Sequence, residues 1–437
     1  MTNARNEDDE CVEIDLESLD DDQIHPMAES ITRFLHKARD IKWTVRVFMP
    51  VSLDLMNARR QRAIADIESG DSLLASLDPI DRIHGIKQTQ EAMRKIERIN
   101  YSQIPELIET SLFLSLFSAF DVYTGELMIA LYERKPQLFD NLNRKVDLVD
   151  VLTANSIEEL KKSVLDEEIG SFRRKSYVEQ FTELESRFGA KLKAFDQWAN
   201  FVECTQRRNL FTHCGGIVSE QYRKICKNEG LPEKDIAAIG TQLDLGPDYF
   251  LSTCELMIEV GLKLSQTLWR KVLSDEIEEA DKHLHRTQYD ALYSHNWDRA
   301  VVFGKFAVKL PRFSNQKTRC ICIINYCIAL KFLNDEVNAQ TELNKIDWSA
   351  STNDFRLAEA VLQDRFEDAA LIMLRIGQTG EMITEACYHT WPLFKAFRET
   401  SQFINTYEKI YSHPFVAELK RSANETLTIA ASKEGAN

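Results

Sequence analysis

The stretch from Leu112 to Phe120, Leu-Phe-Leu-Ser-Leu-Phe-Ser-Ala-Phe, is followed at once by Asp121 and soon after by Glu126. A run this apolar belongs either in a bilayer or at the centre of a packed helical protein. Charges near the middle of a bilayer are expensive, and Glu133-Arg134-Lys135 closes the segment, so a buried helix is expected and a membrane span is not. Pro105 suits the first turn of that helix, with Glu106 and Glu109 complementing its dipole, and the pattern continues to about Arg134. Such a helix needs other helices around it. The chain has only 15 Gly and 10 Pro in 437 residues, too few for a turn-rich β protein. An all-α fold is therefore expected.

A second stretch carries chemistry. Arg207 to Gly216 reads Arg-Arg-Asn-Leu-Phe-Thr-His-Cys-Gly-Gly, and Phe195, Trp198, Phe201, Val202 and Leu210 recur before and within it near the helical period. This predicts an amphipathic helix over 195–213 that stops at Gly215-Gly216. Asn209 and His213 are four apart and share a face, while Arg208 lies roughly 140° around and reaches the helix end by its length. Histidine moves protons near neutrality, and an arginine fork neutralises phosphate oxygens. Together they suit RNA cleavage by its own 2′-hydroxyl, which needs proton transfer and charge stabilisation and no metal.

Arg208-Asn209-x-x-x-His213, followed by Gly215-Gly216 and Tyr222, resembles the Arg-Asn-x-x-x-His signature of the HEPN ribonuclease superfamily. The resemblance extends upstream to Leu112–Asp121 and downstream to Leu268-Trp269-Arg270, covering roughly residues 105–275. Cys214 stands where family members often carry Asn. The resemblance implies a helical bundle, a homodimer that joins two motifs in one cleft, and a metal-independent endoribonuclease of the toxin or defence-effector kind. It also implies that Arg208, His213, Asn209 and Asp121 form the catalytic set. On the residues alone, Asp121 either orients the Arg or His of the motif or caps another buried donor.

The formal net charge of −15 is unevenly spread, because residues 1–22 hold ten acids and one Arg. Residues 171–230 reverse the sign, with eleven Lys or Arg against seven Asp or Glu. Arg173, Arg174, Lys175, Arg207, Arg223 and Lys224 form either a phosphate-attracting, RNA-binding surface or a set of solvated helix faces.

In chain order, 1–23 is an acidic tail expected to be disordered, and 24–104 is a helical N-terminal extension with an extended break near Thr44–Val51 around Pro50. Residues 105–275 form the HEPN-like domain, including two helices over 155–193 that begin near Ser156-Ile-Glu-Glu. The charged stretch 276–286 reads as a linker, and its His283 and His285 point apart on a helix. Residues 287–412 contain an internal repeat: Ala291–Ala300 overlays Ala360–Ala369, and Ala329–Ala339 resembles an intervening turn. The offset of 69 residues is close to twice a tetratricopeptide repeat of about 34, so a tetratricopeptide-like α-solenoid is expected. It offers a surface for a protein partner or inhibitor, and a non-catalytic adaptor working through that array is the rival function. Residues 413–437 form a tail.

Nine scattered cysteines and no N-terminal hydrophobic segment favour a reducing cytoplasm. Cys320-x-Cys322-x4-Cys327 lacks a well-spaced fourth ligand and reads as buried packing. No metal or cofactor is expected, since there is no Walker loop, dinucleotide turn or His-Glu-x-x-His motif.

Overall fold

The structure, a computed structural model, describes residues 24–142 and 145–416. The acidic segment 1–23 and most of the 413–437 tail therefore lie outside the described residues. The described residues are all-α, with eighteen α-helices, no strand, and one isolated bridge between Ile217 and Gln242.

The chain divides into two compact units at Ala280–Asp281. In the first, α1 (Pro26–Leu74) and α2 (Pro79–Asn100) precede the core helix α3 (Ile104–Arg134). Then come α4 (Leu148–Thr153), α5 (Ile157–Arg173), α6 (Tyr177–Phe188), the motif helix α7 (Trp198–His213), α8 (Glu220–Asn228) and α9 (Pro247–Val272). Helix α3 is long and apolar enough to span a bilayer by composition, but Phe113, Leu116, Phe117 and Phe120 are fully buried against protein. Their rings meet Tyr177 on α6, Phe201 on α7 and Phe250 on α9. The Tyr123 hydroxyl donates to the Gly261 carbonyl on α9 at 2.7 Å. Gly261 is a glycine because Phe34 of α1 occupies the space of a side chain, 2.5 Å from where a Cβ would sit.

The break expected at Thr44–Val51 does not form: α1 is a continuous helix of 49 residues, about 70 Å, with Pro50 inside it. Proline removes one backbone donor. Ile41, Val45 and Met49, four apart and buried, keep the preceding turns packed. Beyond Pro50 only Ala63 and Gly70 of α1 are buried, and α2 buries only Gly85 and Ala92. These halves form an antiparallel hairpin that touches itself more than the bundle. Its crossing is tight, since a Cβ on Gly85 would lie 2.7 Å from the Gly70 carbonyl oxygen. The Lys95 ammonium bonds the Asp66 carboxylate at 3.0 Å and fixes the register.

Residues 276–286 fold as helix: after a 3-10 turn at Ser274–Glu276, α10 runs from Ile277 to Tyr293. Their charges suggested a linker, but Ile277, Ala280 and Leu284 fall at helical spacing and are buried. The second unit begins inside α10 and continues through α11 (Trp297–Val308), α12 (Gln316–Phe332), α13 (Glu336–Leu343), α14 (Asn353–Leu362) and α15 (Phe366–Ile376). The short α16 (Glu385–Thr390), α17 (Lys395–Arg398) and α18 (Ser401–Tyr411) complete it.

The turns α10–α11, α12–α13 and α14–α15 are the same object. Each passes through one left-handed residue: His295 at φ 53°, Asn334 at φ 60° and Asp364 at φ 55°. Each closes with a 2.9 Å backbone bond, from Asn296 to Ala291, Asp335 to Leu330 and Arg365 to Ala360. The first and third turns are 69 residues apart, the offset seen in the sequence. Buried Ala300, Ala339 and Ala369 sit at the same place in each second helix, where a small side chain lets the paired helices approach.

Candidate active site

Helix α7 carries two adjacent arginines with different environments. The Arg207 Nε donates to the Glu203 carboxylate at 2.8 Å, its Nη1 donates to the Asp244 carbonyl at 3.0 Å, and the guanidinium lies 3.7 Å from the centre of the Tyr249 ring. Glu203 is buried at 8% exposure and also accepts from Tyr222 and Tyr249, both at 2.7 Å. Burial works against the Arg207 charge, yet Tyr249 and Glu203 hold its pKa above the ordinary arginine value. Arg207 is thus committed to joining α7, α8 and α9.

Arg208 is held differently. It has no ion pair within 4.0 Å among the described residues, its Nη1 donates to Asn209 Oδ1 at 3.1 Å, and its buried Nε has no partner. Its charge lies near Asp121, the polar residue inside the apolar face of α3. Asp121 Oδ1 accepts from the Tyr177 hydroxyl at 2.7 Å. Tyr177 is delivered by the start of α6, where Ser176 and Glu179 form a reciprocal capping box. From the end of α5, Arg173 donates Nε to the Asp121 carbonyl at 2.8 Å and Nη2 to the Val122 carbonyl at 3.1 Å. Gly125 makes room for it, because a Cβ there would overlap the guanidinium.

Burial raises the Asp121 carboxyl above its ordinary value of 3.8, against the opposing pull of the Tyr177 hydrogen bond and the Arg208 and Arg173 charges. A carboxyl raised by folding takes up a proton in the folded chain before the unfolded one. Stability from this group therefore increases as pH falls from the folded value toward 3.8, and is lost as pH rises through the folded value. Asp121→Asn keeps an oxygen for Tyr177 and removes the buried charge. It is expected to match or exceed the wild type in stability at about pH 7, and to lose that advantage at about pH 4.5. Urea unfolding at both pH values measures this, and an advantage that grows on acidification contradicts it.

His213 ends α7 one turn beyond Asn209. Its ring is exposed and contacts no protein donor or acceptor among the described residues. The chain leaves through Gly215 at φ 58° and Gly216 at φ 81°, conformations that favour glycine. Gly216 N donates to the Leu210 carbonyl at 3.1 Å, and Leu243 N donates to the Gly216 carbonyl at 3.0 Å, which ties this end of α7 to the loop before α9. The structure thus gathers Asp121, Arg208 and Asn209, leaves His213 at the rim, and adds Tyr177, which the sequence reading missed. The signal for it was the Ser176-x-x-Glu179 capping pattern, which starts a helix at Tyr177.

The basic residues read as an RNA surface are mostly engaged within the protein. Besides Arg207 and Arg173, Lys175 bonds Glu183, and Arg223 bonds Glu233 and the Ala237 carbonyl, each at 2.7 Å. Arg174 donates to the Ser171 hydroxyl at 3.1 Å, and Lys224 is exposed. Comparison of the chain with protein-family models, curated proteins and solved structures returns no match.

Proposed function

We propose that this protein is a metal-independent endoribonuclease that acts as a homodimer, of the toxin or defence-effector kind that its HEPN-like motif implies. The observation that carries the reading is the state of Arg208. It is a half-buried guanidinium that has, among the described residues, an unpartnered Nε–H and no carboxylate bridging it, and it lies five residues along α7 from an exposed histidine that no described protein group engages. A buried donor without a partner is costly, and a phosphate oxygen satisfies it with a charge-assisted hydrogen bond. Arg207 next to it differs, because its charge is already met by Glu203 and its Nε and Nη1 donate to Glu203 and the Asp244 carbonyl.

In this reading Arg208 binds the scissile phosphate and stabilises the negative charge of the phosphorane. His213 exchanges the protons. The 2′-hydroxyl loses its proton to one imidazole as its oxygen attacks phosphorus, and the bond to the 5′-oxygen breaks as that oxygen gains a proton from a second imidazolium. Two histidines require two chains, so a two-fold dimer belongs to the mechanism. Asp121, through Tyr177 and its charge near Arg208, and Asn209, through its contact with Nη1, act as positioning residues.

The chemistry fixes the products as a 2′,3′-cyclic phosphate and a 5′-hydroxyl. End-group analysis of labelled RNA cleaved by the full chain in excess EDTA tests this. Both termini are expected, and cleavage that requires a divalent ion or leaves a 5′-phosphate overturns the reading.

A further inference from the structure

The hairpin of α1 and α2 carries a group of exposed arginines without partners among the described residues. Arg59, Arg60 and Arg62 on α1, and Arg94 and Arg98 on α2, are all exposed, and none has a hydrogen-bond or ion-pair partner among the described residues. The helices run antiparallel in the register set by Lys95 and Asp66. One turn back from Asp66 on α1 is Arg62, and one turn on from Lys95 on α2 is about Arg98, so the two groups stand at the same level. The acids of 57–66 and 91–101 are Asp66, Glu91 and Glu97, and Asp66 is taken by Lys95.

The groups among these arginines suit a nucleic-acid strand. Asn57, Gln61, Gln90 and Asn100 are exposed amides, and Tyr101, at 80% exposure, offers a ring on which a base stacks. Arginine forks match phosphate oxygens in pairs, whereas lysine acts as a point charge. The Gly70–Gly85 crossing holds the two helices close together, and Arg59 and Arg62 leave α1 within about 60° of one another while Arg94 and Arg98 leave α2 within about 40°.

We propose that the α1–α2 hairpin is an RNA-binding arm whose arginines grip the phosphate backbone of the strand cleaved at Arg208 and His213. The assignment of RNA as the strand rests on the ribonuclease reading. Backbone contacts carry no sequence information, so the arm supplies affinity and salt dependence and leaves the cleavage position to the site.

Two measurements on the full chain test this. The first is fluorescence anisotropy of labelled single-stranded RNA against salt, in the His213→Ala background so that binding is read without cleavage. The second is cleavage kinetics in the otherwise wild-type chain. Replacing Arg59, Arg62, Arg94 and Arg98 together with alanine is expected to weaken RNA binding at least about 10-fold, and to reduce the slope of log affinity against log salt by about 3. KM should rise and kcat should remain. Circular dichroism melts confirm that these exposed substitutions leave the fold intact. Arginine-independent binding by a chain that still cleaves overturns the arm and spares the ribonuclease. Arginine-dependent binding by a chain that never cleaves does the reverse. Arginine-dependent binding to phosphatidylserine vesicles with no effect on RNA assigns the hairpin to membranes and overturns the proposal.

Discussion

Glu203→Ala is expected to destabilise the first unit by about 3–5 kcal/mol, the range for removing one partner of a buried ion pair. The carboxylate is the shared acceptor of Arg207, Tyr222 and Tyr249, at 2.8, 2.7 and 2.7 Å. With alanine there, two tyrosine hydroxyls lose their acceptor and the Arg207 guanidinium loses its counter-charge in a largely buried setting. A typical domain has only about 5–15 kcal/mol of stability, so a large part of the margin goes. Glu203→Gln retains one oxygen and should fall between. Urea denaturation followed by circular dichroism gives the difference, and a Glu203→Ala chain within about 1 kcal/mol of wild type would remove this cluster as the tie between α7, α8 and α9.

Arg208→Ala and His213→Ala are each expected to slow RNA cleavage by roughly 10²–10⁴-fold while leaving the melting temperature nearly unchanged. Among the described residues the Arg208 side chain bonds only the Asn209 amide oxygen, and His213 is exposed. Arg208→Lys preserves the charge and loses the fork, so its rate should lie between alanine and wild type. The measurement is kcat/KM on labelled RNA in EDTA, with thermal melts alongside. Wild-type rates from both alanine variants would falsify the assignment. The contrast with Glu203→Ala is informative, because neighbouring positions on α7 should separate into loss of fold and loss of chemistry.

Several features were legible in the residues. The apolar stretch before Asp121 identified the core helix, since a continuous hydrophobic surface has to be surrounded. The glycines after His213 marked the end of α7, because the backbone there adopts positive φ. The 69-residue offset located two of three equivalent turns. Other readings failed where local pattern competes with packing. Pro50 suggested a break, yet burial of Ile41, Val45 and Met49 accompanies an unbroken helix. The charges of 276–286 suggested a linker, and the boundary between the two units does fall there, but the stretch is helix because its few apolar residues share one face.

The sequence by itself determined the helical class, the position of the motif at a helix end, and Asp121 as a carboxylate inside the apolar face of the core helix. It could not say which of two consecutive arginines serves the fold, because their side chains leave the helix about 100° apart and meet whatever other helices bring. Tertiary structure decided that Arg207 meets Glu203, Tyr222 and Tyr249, while Arg208 keeps a donor unused. It also decided where positive charge remains available: counted along the chain, the excess lies at 171–230, but glutamates and carbonyls folded against those residues occupy most of it. The arginines of the hairpin remain exposed because a two-helix arm has too few neighbours to supply partners.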